Sequence, residues 1–209
     1  MYRPNAFQED DLDKLVTFMK ANSFATLVSI LDGIPSASHI PLVVKIDEDV
    51  IKLVGHLAKQ NPHWQAFSVA ESLAIFTGAH SYISPTLYEK HESVPTWNYI
   101  AVHAYGFPKI ITFDDAPELM DEMINDMVET YEADYKSHWQ SLSSKYREGM
   151  MNGIVGFEII VTRLEGKYKL SQNKSQIDQQ NVSTTLLQSS DPIVRAVGVE
   201  MHQNIESDH

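Results

Sequence analysis

The feature that most restricts the fold is the order in which hydrophobic periods arrive. Runs of period two follow one another directly instead of alternating with helices. Phe24–Leu31 (FATLVSIL) reads as a strand, Asp32-Gly33 as a turn and Ser36–Ile46 (SASHIPLVVKI) as a second extended stretch. The acidic turn Asp47-Glu48-Asp49 leads into Val50–His56, which predicts three strands in meander order. Ser72–Gly78, Tyr99–Thr112 and Gly153–Thr162 read as further strands. Helical periods flank them. Residues 9–22 put Leu12, Leu15, Val16 and Met19 on one face behind Glu9, Asp10 and Asp11. Asn61-Pro62 starts a helix, with Asn as cap and Pro in the first turn. Asp115–Tyr135 is the clearest helix: Asp115 and Glu118 have capping-box spacing, and Leu119, Met120, Met123, Met127, Val128 and Tyr131 form an apolar stripe. A last helical pattern spans Pro192–His202. About six strands with two or three helices in this order predict a mainly β fold with flanking helices, built as an antiparallel barrel.

A chain of 209 residues is long enough for one large core. The expected division is a barrel domain over 1–175 and a helical extension over 176–209 packed on the same domain. Lys and Arg number 16 against 28 Asp and Glu, a formal net charge of −12. That balance argues against direct binding of nucleic acid backbones. The absence of cysteine removes disulfides, thiolate metal sites and thiol nucleophiles. No apolar run has the length of a membrane span, and Met1-Tyr2-Arg3-Pro4-Asn5 carries no basic-then-apolar pattern, so no membrane and a cytoplasmic location are expected.

Phosphate-loop, dinucleotide, hydrolase-elbow and H-E-x-x-H signatures are missing. Nine histidines are present, but none pairs with another ligand at strand or helix metal spacing, so no metal is expected. Four stretches carry more chemistry than a plain core needs. In Gly55–Trp64 a strand ends at a helix start, where free N–H groups and Lys59 suit an anion; an ordinary capped helix is the alternative. Gly78–Pro85 is a small polar strand with aromatic character. Val94–Gly106 joins Trp97, Asn98 and Tyr99, able to stack on and hydrogen-bond a planar ring, or simply to pack the barrel. Gly166–Lys174 is a local basic run in an acidic chain.

Several motifs in order carry a family resemblance. They are Met1-Tyr2-x-Pro4-x-x-Phe7, His39-Ile40-Pro41-Leu42, Gly55-His56-Leu57-Ala58 with Asn61-Pro62, and Tyr82-Ile83-Ser84-Pro85. Val94-Pro95-Thr96-Trp97-Asn98-Tyr99 and Gly166-Lys167-x-Lys169-Leu170-Ser171-Gln172-Asn173 complete the set. Together they resemble the PaiB-type FMN-binding negative transcriptional regulators. The resemblance implies an FMN-binding split β-barrel of the pyridoxamine-phosphate-oxidase-like kind, a homodimer, with FMN in a groove where two barrels meet. It implies Lys59 and Asn61, with Ser38 and His39, on the phosphate side. Tyr82, Ser84, Trp97 and Asn98 are implied on the ring or ribityl side, and Lys169, Ser171 and Gln172 reach the ligand from the partner chain. With no helix-turn-helix and an acidic charge, a regulatory effect is expected to be indirect, through a partner. An FMN-dependent oxidoreductase, a ligand sensor without turnover and a haem-binding split barrel remain the competing readings.

Overall fold

The computed structural model describes residues 1–48 and 50–207; Asp49 of the expected acidic turn lies outside the described residues. Among the described residues the strands are β1 (Gln8–Glu9), β2 (Phe24–Leu31), β3 (Ile34–Pro41), β4 (Val43–Asp47), β5 (Val50–Ala58), β6 (Ser72–Ile83), β7 (Thr96–Ile111) and β8 (Ile154–Lys169). They form one sheet in the order β3-β2-β6-β7-β8-β5-β4, with β1 pairing β8. The helices are α1 (Leu12–Ala21), α2 (Pro117–Glu132), α3 (Tyr135–Ser141), α4 (Ser144–Asn152), α5 (Gln176–Leu187) and α6 (Pro192–Ser207). The fold is a mainly antiparallel β structure with flanking helices. The chain divides into two compact units, one of residues 1–18, 77–102 and 165–209, the other of 19–76 and 103–164.

In the second unit, β2 and β3 pair in a hairpin whose last register pair is Leu31 with Ile34. Asp32 (φ +52°) and Gly33 (φ +77°) form its two-residue loop, the left-handed pair that matches strand twist. The predicted single stretch Ser36–Ile46 is two strands, and the meander is not formed. Pro41, without an N–H, ends β3; the buried Leu42 donates instead to Ser23 O at 2.9 Å, and β4 pairs with β5 at the far end of the strand order. Gly55 of β5 lets the turned chain come close, since a Cβ there would lie 2.8 Å from Leu42 Cδ2 and 3.3 Å from Pro41 O. That approach brings the β3 end against β5. The core contains Phe67, Phe76 and Phe157, all fully buried, with the Phe67 and Phe157 rings 4.9 Å apart edge to face. Burial of each ring is worth about 1.5–3 kcal/mol.

The same unit carries α2, α3 and α4. Met120, Met123, Met127 and Met151 pack with Val43 and Val54. The stripe of α2 is narrower than the sequence predicts, because Leu119 and Tyr131 are exposed. The predicted capping box is absent. Ala116 is the cap residue, while Asp115 is engaged by Thr112, whose Oγ1 donates to Asp115 Oδ2 at 2.6 Å and accepts the Asp115 N–H at 3.2 Å.

In the first unit, α5 and α6 form an antiparallel pair. A Cβ on Gly198 would lie 2.7 Å from Leu187 N, so the helices meet backbone to backbone, and Ser183 Oγ donates to Gly198 O at 3.2 Å. Ser175 caps α5 by accepting the Asp178 N–H.

Candidate functional site

Within the first unit, the end of β6, the start of β7 and the end of β8 carry the predicted ring-side residues. Trp97 and Tyr82 are half exposed, at 53% and 51%, with rings 6.1 Å apart and nearly perpendicular. His80 lies 6.2 Å from Trp97. Adjoining aromatics that stay in solvent offer an apolar face a folded core would otherwise cover. Ser84 caps the short 3₁₀ helix Pro85–Leu87 by accepting the Thr86 N–H at 3.3 Å, and its hydroxyl meets Thr86 Oγ1 at 2.8 Å.

Behind Trp97 the polar groups are locked together. Asn98 is fully buried; its Nδ2 donates to Ser171 Oγ at 2.9 Å and to Met201 Sδ at 3.3 Å. Ser171 has φ +69°, a left-handed conformation costly for a residue with a Cβ. Gln172 holds that turn. Its Oε1 accepts the Leu170 N–H at 2.8 Å and its Nε2 donates to Tyr168 O at 2.6 Å, while Lys174 N donates to Ser171 O at 2.9 Å. Gln172 is thus spent on its own backbone.

Lys169 Nζ donates to Thr96 Oγ1 and, at 2.6 Å, to Trp97 O. Burial holds Lys169 below the ordinary lysine range, and the neighbouring charges of Lys167 and Lys174 push it the same way. Lys167 is buried, donates to Tyr2 O at 3.1 Å and lies 5.3 Å from the Tyr99 ring centroid. Lys174 Nζ sits 4.3 Å from the Tyr88 ring centroid. Sequence reasoning named Lys169, Ser171 and Gln172 but not Thr96, Lys167 or Lys174 as site residues. The basic run was the available signal, and only folding shows that Lys169 and Lys167 meet the start of β7 while Lys174 meets Tyr88.

The second unit holds the predicted phosphate-side residues. Asn61 brings Ser38 and His63 together: its Nδ2 donates to Ser38 Oγ at 3.1 Å and its Oδ1 accepts the His63 N–H at 3.0 Å. Ser38 Oγ in turn meets His63 Nδ1 at 2.8 Å. His63 is fully buried with its ring 5.6 Å from Phe67, and its Nε2 has no hydrogen-bond partner among the described residues. Burial keeps this imidazole below the ordinary histidine range. His39 is exposed, and its Nδ1 meets Thr26 Oγ1 at 3.0 Å. Lys59 is exposed, and its carbonyl accepts Trp64 Nε1–H at 3.0 Å. The predicted helix after Asn61 is a 3₁₀ helix of five residues, Pro62–Ala66, whose first available N–H is capped by Asn61 itself. Free backbone donors at that end are therefore fewer than the sequence implies.

Residues 1–163 match the family profile described as "Putative FMN-binding domain". The chain is 36% identical to the "Protease synthase and sporulation protein PAI 2" of Bacillus subtilis, over 99% of each chain. It is 30% identical to an uncharacterized protein of Emericella nidulans, over 87% of this chain and 88% of that one. Among solved structures, a flavocytochrome from Azotobacter vinelandii superposes with a TM-score of 0.59 at 12% identity, covering 80% of this chain and 72% of its own. An FAD and haem binding protein from Mycobacterium smegmatis gives 0.56 at 14%, covering 85% and 79%. At such identity the likeness is one of fold, and the fold is the split β-barrel of flavin-binding proteins. No helix among the described residues is long and apolar enough to cross a membrane. By its family profile and its near full-length identity to the Bacillus subtilis protein, the chain belongs to the PaiB-type FMN-binding, split-barrel family.

Proposed function

We propose that the protein is a cytoplasmic homodimer that uses bound FMN to regulate a partner protein, without touching DNA itself. The observation that carries this reading is the exposed aromatic surface of Trp97, Tyr82 and His80 set on a rigid polar base. Such a surface fits a flat heterocycle and a second protomer alike, because both bury aromatic faces. Trp97, Tyr82 and Ser84 are the proposed ring and ribityl contacts, and Asn98, fully buried, serves that side by holding the turn at Ser171 in place. Ser38, His39, Lys59 and Asn61 are the proposed phosphate contacts, with Lys59 supplying the charge. Lys169 and Ser171 are proposed to meet ligand held by the partner protomer, with Gln172 shaping their turn. Bound FMN supplies the redox chemistry, and the protein supplies orientation and charge.

The net charge of −12 supports an indirect regulatory effect, since an acidic surface gains little from releasing counterions around DNA. The deciding experiment is a visible spectrum of the FMN-titrated protein combined with sedimentation and an NAD(P)H oxidation assay. Flavin bands on a dimer without turnover support this reading. Turnover converts it to an oxidoreductase, and a haem spectrum or an FMN-loaded monomer defeats it.

A further inference from the structure

Within the second unit, β5 and the helices α2, α3 and α4 enclose a cavity of about 280 Å³. It shares no lining residue with the flavin contacts proposed above. Val128 of α2, Tyr135 and Trp139 of α3, and Tyr146 and Met150 of α4 form its walls, and His56 of β5 reaches it. No charged side chain lines this space, although the chain carries a net charge of −12. Tyr135, Tyr146 and Met150 remain exposed, so the cavity opens to solvent through an apolar, aromatic rim. Apolar surface gathered in one place and left in water favours whatever covers it. The adjoining hollow, which shares His56, Val128 and Tyr135, adds one charged group, the acidic Glu132.

Two polar atoms say what kind of molecule fits. His56 Nδ1 lies 3.3 Å from Met127 Sδ. A thioether accepts a hydrogen bond and has no proton to donate, so this contact puts the imidazole proton on Nδ1. Nε2 is then a lone-pair acceptor, and no hydrogen bond among the described residues uses it. Burial holds His56 below the ordinary histidine range, which keeps the ring neutral. Trp139 is buried, and its Nε1–H has no hydrogen-bond partner among the described residues. A hydroxyl both donates and accepts, so one small polar group answers either kind of unused atom. An anion finds no cation in the lining and is repelled by Glu132. A cation would lose its water to a lining that holds no carboxylate. An apolar cavity of about 150 Å³ takes one benzene ring, so this volume suits two fused rings. We propose that the cavity binds a neutral, bicyclic aromatic molecule carrying one hydroxyl or N–H donor, which His56 Nε2 accepts. A flavin, larger and anionic at its phosphate, meets neither condition, so the site is additional to the flavin site and does not depend on it.

Calorimetric titration of the full chain with 2-naphthol, without and with excess FMN, tests the site. The expected result is saturable binding at a single site per chain, unchanged by FMN. Naphthalene, which lacks the donor, should bind about tenfold more weakly, the scale of one hydrogen bond. His56→Phe should bring 2-naphthol down to the affinity of naphthalene and leave naphthalene's own affinity in place, whereas a packing role for His56 would lower both alike. Val128→Trp, which fills the space from a partly exposed helix position, should abolish binding of both. Either variant suffices where the other fails to fold. Absent saturable heat, displacement of 2-naphthol by FMN, a preference for 2-naphthol that survives His56→Phe, or undiminished binding to Val128→Trp would overturn the proposal. Sedimentation at saturating 2-naphthol tests the rival occupant. An unchanged assembly supports a small-molecule site, and dissociation into separate chains would assign the rim to a second copy and overturn it.

Discussion

Asn98 and Ser171 exchange two hydrogen bonds across 73 residues of sequence: Asn98 Nδ2 donates to Ser171 Oγ at 2.9 Å, and Ser171 Oγ donates to Asn98 Oδ1 at 3.3 Å. Both side chains are buried, so each is the other's replacement for water. The pair ties the start of β7 to the turn that follows β8, and with it the positions of Trp97 and Lys169.

Asn98→Ala should therefore lower stability by about 1–3 kcal/mol, the cost of a buried hydroxyl left without its partner. For a chain of this size each kcal/mol moves the melting temperature by about 2–4 °C. A melting temperature unchanged from the wild type would show that water replaces the amide and that the turn needs no such lock.

Trp97→Ala tests the exposed aromatic surface. Because Trp97 is more than half exposed, its loss should change melting of the separate protomer little, while weakening both dimerisation and flavin retention. Sedimentation and flavin absorbance of the variant are the readouts. A lowered melting temperature with an intact, flavin-bound dimer would assign Trp97 to packing alone.

FMN should bind more tightly than riboflavin, by about tenfold or more, since the phosphate adds a charge-assisted contact of about 1.5–3 kcal/mol. Lys59→Ala should shrink that preference while leaving riboflavin affinity and melting unchanged, because Lys59 is exposed. Equal affinity of the wild type for the two flavins would remove phosphate recognition from the function.

The buried His63 makes stability depend on pH. Burial favours its neutral form, so its folded pKa lies below the unfolded value of about 6.5. A histidine lowered in this way contributes stability that is complete above the unfolded pKa. As pH falls below that value the unfolded chain takes up a proton the folded one resists, and stability is lost until the folded pKa is passed. His56, lowered by burial as well, acts in the same direction. Melting temperature should drop as pH falls below about 6.5, and His63→Gln should reduce the slope of that drop. Parallel curves for variant and wild type would show that other groups carry the dependence.

Local pattern determined much of this protein. The Asp32-Gly33 turn and the alternation of β2 follow from neighbouring residues, because a two-residue left-handed loop and a half-buried strand are written in a few positions. The motifs from Met1 to Asn173 identified the family, since they combine residue types at spacings a core does not require. Other decisions were made only by the folded chain. Whether Ser36–Ile46 is one strand or two depended on Leu42 finding burial at a place Pro41 forced the chain to turn. Gln176–Leu187 is polar in sequence, with Gln176, Gln179, Gln180 and Asn181, inside the expected helical extension; the close approach of Gly198 to Leu186 and Leu187 and the Ser183 bond to Gly198 O show how α6 packs on it. Asp115 was diverted from its cap by Thr112, a competition between hydrogen-bond partners that spacing does not rank. The approach of Lys169 to Thr96 is of the same kind. Charge is local in sequence, but the burial and the mutual repulsion felt by Lys169 depend on which strands lie side by side, and that is set by long-range pairing.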